Sequence, residues 1–247
     1  VTRVLTMTAF HSRQLLRTSF FLHESLLAPM AFMTLLAMGR RASGVDVGTD
    51  LWVTATTAGL WSTTTLAVGI IGFQRHQGTL EHLVLTCRPP GVVFGALTSA
   101  AAAIGLAGLP GCLALQWALT RQVSTSWQAV TSIAASGVAC AASAAVLSSF
   151  FVLVRSATVF EPLVLLPVWL LSGLTVPVDA LPSGLALVAR LHPLTSAVAI
   201  AHTTEATTSL SLLGASLVTS GIWGVLAAAL SARAHRAALV HGTLGLS

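Results

Sequence analysis

The chain contains no lysine and no tyrosine, and charged residues of either sign fill only 8% of its 247 positions. A soluble domain carries roughly 25% charged residues, because that is what keeps its surface in water. The shortfall excludes a water-soluble fold of this size. With 55% hydrophobic residues and a mean hydropathy of +0.87, the chain is expected to sit in a bilayer. The absence of lysine also excludes a Walker A phosphate loop, which needs that residue on the nucleotide phosphates. Neither an H-E-x-x-H zinc helix nor a G-x-S-x-G nucleophile elbow occurs. The three cysteines, Cys87, Cys112 and Cys140, form no C-x-x-C pair, and two lie inside apolar runs, so they read as small buried hydrophobes. His76 and His82 are six residues apart and do not share a helix face, so no metal centre is expected from them.

What charge there is sits in a pattern. The net charge of +5 comes from twelve arginines placed singly or in pairs between long apolar runs. That is the layout of membrane-orientation signals and not of a nucleic-acid surface, so no nucleic-acid partner is expected. Arginine in place of lysine, with abundant alanine and glycine, points to a GC-rich bacterial genome and hence to a bacterial cytoplasmic membrane. The first eighteen residues carry Arg3, Arg13 and Arg17 without a separate apolar core, so no cleavable leader is expected.

Residues 1–18 read as an amphipathic helix lying in the membrane interface. Arg3, Arg13 and Arg17 fall within one arc, and Val4, Leu5, Leu15 and Leu16 fall opposite. A permease-like domain of six spanning helices is expected over 19–230, with the spans at about 19–38, 52–73, 91–117, 127–154, 158–176 and 211–230. Each is near or above the ~20 residues needed to cross a ~30 Å hydrocarbon core. Residues 231–247 read as a short tail. With the N-terminus inside, eight arginines fall on the inner side and four (Arg40, Arg41, Arg121 and Arg190) on the outer, which favours both termini in the cytoplasm. Trp52, Trp117 and Trp127 then fall at outer helix ends, where aromatic belts form. Gly91-x-x-x-Gly95 is a candidate close helix contact.

Two connections stand out. The inner segment 75–88 holds Gly78, Thr79 as a helix N-cap, Glu81 in the first turn and an apolar stripe of Leu80, Leu83 and Val84, and Pro89-Pro90 stops it. It reads as a short amphipathic cytoplasmic helix. The outer connection 177–210 is too apolar for an ordinary loop. It reads as two short helices broken at His192-Pro193, dipping back into the bilayer as a re-entrant hairpin.

Gly78-Thr79-Leu80-Glu81, followed by Leu83, Thr86 and proline, resembles the second-to-third helix loop of type-2 ABC export permeases. Leu171-Ser172-Gly173, Pro177, Leu181-Pro182 and His192-Pro193-Leu194-Thr195 are similar to that family's stretch from the fifth helix into the outer hairpin. Gln77 stands where the family often has a charged residue, and His192 where asparagine is more usual. The resemblance covers nearly the whole chain. It implies an all-α membrane protein of six transmembrane helices, with the N-terminal interfacial helix, a cytoplasmic coupling helix and the re-entrant hairpin formed by the segment around Pro177, Pro182, His192 and Pro193. It implies that Arg75, Gly78, Thr79, Leu80, Glu81, His82 and Arg88 dock on a separate ATP-binding subunit. ATP and magnesium would bind that partner, leaving this chain without a cofactor or an ATPase site of its own. A second copy or a related permease would complete the pathway, with membrane lipids around both.

The remaining ionisable residues have two readings each. Glu24 in the first turns of the first span is a functional candidate, since a carboxylate in lipid is costly. Alternatively it sits at the inner interface and pairs with Arg17 or Arg155; Glu161, six residues after Arg155, reads the same way. A gradient-driven secondary transporter and a structural or sensory membrane subunit remain the alternative classes. The interior, rich in Ser, Thr and Ala, suits an amphipathic or hydrophobic substrate such as a drug-like natural product or a lipid.

Overall fold

The computed structural model describes residues 2–76, 89–154 and 161–241, and all its regular elements there are helical. In chain order they are α1 (Thr2–Arg17), α2 (Ser19–Ala42), α3 (Leu51–His76), α4 (Pro90–Gly105), a 3-10 turn (Leu106–Gly108) and α5 (Leu109–Thr120). There follow α6 (Trp127–Leu153), α7 (Glu161–Leu171), a second 3-10 turn (Val178–Ala180), α8 (Ser183–Arg190), α9 (Pro193–Ile200) and α10 (Ala206–His241). Four stretches are long and apolar enough to cross a membrane: Ser19–Ala42, Pro90–Thr120, Trp127–Leu153 and Ala206–Ala237. The α8–α9 pair, bent by 93°, makes a fifth if it is taken as one broken span. The chain is therefore a multi-spanning, all-α membrane bundle.

The helix at its centre is not among those four. At 26 residues α3 has the length to cross, but six threonines dilute its hydropathy. It can carry them because α2, α4, α5 and α6 pack around it, so little of its surface has to match lipid. Thr64 and Thr65 donate their hydroxyls back to the carbonyls of Leu60 and Trp61, at 2.8 and 2.9 Å, and so hide their polarity. Trp61, Leu60 and Ile71 of this helix are fully buried.

Three spans depart in detail from the sequence reading. The third is one stretch of 31 residues, but it is broken by the 3-10 turn, because Pro110 can offer no N–H to the carbonyl of Leu106. The fifth expected span, 158–176, is described as helix only over Glu161–Leu171, with Pro167 inside it. The last helix runs to His241, well beyond 230, and carries Arg233 and Arg236 along it. Cys112 and Cys140 are free and buried, as small hydrophobes would be, and Cys87 lies outside the described residues.

Close approach at small residues locks the bundle. Pro29 of α2 sits against Gly59 of α3 and Gly108 of the 3-10 turn, while Gly105 faces Leu60. Gly91 meets Ala228 and Ser231 of α10, whereas Gly95 has open space beside it, so only the first glycine of the G-x-x-x-G pair makes the close contact. The N-terminal helix packs on α4 through Leu15, and Val4, Leu5, Phe10 and Leu16 stay exposed.

Candidate functional site

One end of the bundle gathers the C-terminal turns of α2, the start of α3, the segment after α7, the bent α8–α9 pair and the first turns of α10. Between them lies a cavity of about 1080 Å³. Leu35, Leu36, Leu174, Val198 and Leu212 give it apolar walls, and Arg40, Asp179, Arg190 and His202 also line it. Arg190 and Asp179 approach to 3.8 Å and both are largely exposed, so the pair is long and contributes little to stability. Arg40 donates from Nη1 to the carbonyl of Val47 at 2.6 Å, which ties the end of α2 to the loop before α3.

Local sequence chemistry shapes this end. Ser172 donates its backbone N–H to the carbonyl of Val168 as α7 ends, and Gly173 follows at φ +86°, a conformation glycine adopts without strain. That places Ser172 in the cavity wall with its Oγ buried and unpartnered among the described residues. Pro177 and Pro182 occupy the cap positions before the second 3-10 turn and before α8. At the bend, His192 caps α9: its Nδ1 accepts from the backbone N–H of Leu194 at 3.3 Å, and Pro193 opens the helix where no donor is needed. An asparagine side chain could fill the same cap. The accepting Nδ1 places the ring proton on Nε2.

The bent pair is tied on several sides. Thr195 donates to the carbonyl of Ala189 at 2.6 Å, Ser132 of α6 to Ala197 at 2.8 Å, and Ser216 of α10 to Pro193 at 3.1 Å. The His192 ring meets Trp61 and Trp223 edge-on, with centroids 5.8 and 4.9 Å away, and Trp223 Nε1 donates to Leu191 at 3.1 Å. The mid-helix tryptophans Trp61 and Trp223 thus hold the hairpin, and Trp169 packs on Phe32 of α2.

Of the residues expected to dock on a partner subunit, Arg75 falls in the last turn of α3, and Gly78, Thr79, Leu80, Glu81, His82 and Arg88 lie outside the described residues. Arg155 lies outside them as well, while Glu161 opens α7. Arg17 ends α1. It makes no bridge to Glu24; the ion pair among the described residues is Arg190–Asp179. Glu24 instead accepts a 2.6 Å hydrogen bond from Ser62, the twelfth of the 26 residues of α3. Pro29 on Gly59 places this part of α2 level with the middle of α3.

Gln116 went unnoticed in the sequence. It is fully buried, accepts from the backbone N–H of Trp52 at 3.2 Å, and donates to the carbonyl of Gly48 at 2.9 Å. A lone glutamine inside an apolar run was the available signal. Among the described residues no cluster of metal-ligating side chains occurs.

The class that the fold and this site define is a multi-pass helical membrane protein with an internal amphipathic cavity at one end. No protein-family model, curated protein or solved structure matches the chain.

Proposed function

We propose that the chain is the transmembrane permease subunit of an ABC exporter, moving an amphipathic or hydrophobic substrate such as a drug-like natural product or a lipid. The observation that carries the reading is the half-open cavity bounded by the bent α8–α9 pair, of the size that holds a small molecule. The resemblance of segments 75–88 and 171–195 to type-2 export permeases supplies the coupling. ATP and magnesium bind a separate subunit, whose closure pushes on the coupling segment through Glu81. The permease pairs with a second copy or a relative, both termini lie in the cytoplasm, and the membrane is the bacterial cytoplasmic one. Rigid-body motion of the bundle then opens the cavity end outward.

The test is purification of the tagged chain from its host in mild detergent, with mass spectrometry of what accompanies it. A stoichiometric protein bearing a Walker A motif, whose ATPase activity uncouples from transport in Glu81→Arg, is the expected result. A chain that comes alone under conditions preserving other complexes overturns it.

One observation favours a second reading, a gradient-driven carrier: Glu24, inside a membrane-spanning helix, is hydrogen-bonded to Ser62 halfway along α3, and a carboxylate within a span is a functional candidate. In proteoliposomes without ATP, uptake driven by a pH gradient and lost in Glu24→Gln would establish the carrier.

A further inference from the structure

We infer that the cavity binds the anionic head group of an amphiphile: a single phosphate or carboxylate carried on a hydrocarbon body. This deepens the permease reading by naming the substrate class. It does not depend on an ATPase partner, because the binding it describes is a property of this chain alone.

The charges decide the sign. Two arginines, Arg40 and Arg190, line the cavity against one carboxylate, Asp179. That carboxylate holds Arg190 only at 3.8 Å, beyond good hydrogen-bond reach, so a better-placed anion displaces it without breaking a strong pair. Arginine is the side chain suited to the task, since its planar fork takes two oxygens of a phosphate or carboxylate at once. Arg40 uses Nη1 on Val47 and has the Asp50 carboxylate nearby, across Gly48 and outside the cavity lining, without an ion pair between them.

A second, independent feature points the same way. Ser172 is 1% exposed, and among the described residues whose buried polar atoms lack a partner it is the one that lines this cavity. A buried hydroxyl left unpaired is costly, and a small rotation that offers it to a ligand oxygen removes the cost. Beside these groups Leu35, Leu36 and Leu212 leave an apolar wall, which fits a hydrocarbon body and gives no purchase to a free ion.

The experiment uses the full chain in phosphatidylcholine nanodiscs, with radiolabelled dodecyl phosphate as the probe and empty discs subtracted. Saturable binding is expected, displaced by unlabelled dodecyl phosphate but not by equal concentrations of dodecyl maltoside or dodecyltrimethylammonium. Arg190→Gln should weaken it by about tenfold or more, the usual effect of losing a charge-assisted pair. Ser172→Ala, which removes no internal bond, should weaken it by a few fold with thermal stability unchanged or raised. Asp179→Asn should tighten it. Equal displacement by the cationic amphiphile, weaker binding in Asp179→Asn, or unchanged binding in Arg190→Gln overturns the proposal. Equal competition by inorganic phosphate overturns the hydrocarbon part and assigns the cavity to a free anion. Absent binding alongside a co-purifying ATPase would remove this inference and leave the permease reading intact.

Discussion

Replacing Gly108 by alanine tests how the bundle is held together. Pro29 interrupts the hydrogen bonding of α2, because it has no N–H to give the carbonyl of Ser25. That carbonyl points at Gly108, where a Cβ would lie 2.5 Å from it and closer still to the Pro29 ring. On the other side of the ring, a Cβ at Gly59 would lie 2.7 and 2.9 Å from Pro29 Cβ and Cγ. Neither a proline ring nor a main-chain carbonyl can swing aside as a flexible side chain does, so α2 must move off its neighbours. Overpacking of this kind costs about 1–3 kcal/mol, and the rigid partners put Gly108→Ala at the upper end. Helix propensity alone would favour alanine by about 1 kcal/mol at an unobstructed glycine, as at Gly137, where nothing lies within 4 Å. The assay is reversible unfolding in mixed micelles with increasing SDS. Gly108→Ala and Gly59→Ala should each unfold at lower SDS than the parent, and Gly137→Ala at the same or higher. The double variant should cost less than the two singles together, since one displacement of α2 relieves both contacts. Gly108→Ala unfolding together with Gly137→Ala would refute the reasoning.

Gln116→Leu should destabilise by about 2–3 kcal/mol in the same assay, because it strips the partner from the buried N–H of Trp52 and the carbonyl of Gly48. At the bend, His192→Ala should lose about 1 kcal/mol of cap energy and loosen α9, read as faster amide exchange over 193–200, whereas His192→Asn should keep the cap. Burial lowers the titration point of His11 on α1 below the ordinary histidine value. The released helix therefore binds the proton better than the docked one, and docking weakens as pH falls through the ordinary histidine range toward the lowered value. Protease cutting within residues 2–17 should accordingly rise between about pH 7.5 and pH 5.5, and His11→Gln should flatten the difference.

The parts of the fold that showed in the sequence are those set by contact with lipid. Spans such as 127–153 and 19–42 announce themselves because the bilayer demands a long apolar surface whatever they pack against. The N-terminal helix declared itself through its arginine arc, and the bend at His192-Pro193 through proline's missing donor. Protein-facing surface follows other rules. α3, the expected span 52–73, is the centre of the bundle, and its six threonines lower its hydropathy; Thr64 and Thr65 return their hydroxyls to the helix's own carbonyls, and packing on all sides shields the rest from lipid. Scored by hydropathy alone, a centre looks weaker than a periphery.

The cavity was harder to read, and for a geometric reason. Arg40, Ser172, Arg190 and Leu212 are separated by up to 172 positions in the chain and meet only because the ends of α2, α7 and α8 and the start of α10 lie at the same end of the bundle. Each had a sufficient local explanation. Arg40 and Arg190 are two of the four outer arginines in the orientation count, and Ser172 is one letter in a resemblance. Charges near helix ends are cheap, since they reach the interface, and so they carry little information one at a time. An arginine excess becomes meaningful only when placed around one cavity with an unpaired buried hydroxyl in its wall. Glu24 runs the opposite way. Its position near the start of α2 allows both a functional carboxylate and an ion pair at the inner interface, and the structure adds a partner that neither reading named: Pro29 on Gly59 draws that turn against the middle of α3, where Ser62 meets it. In a membrane bundle, depth is set by how helices pack as much as by distance along the chain. The partners of a charge therefore follow from how its helix packs, which counting residues along the chain does not supply.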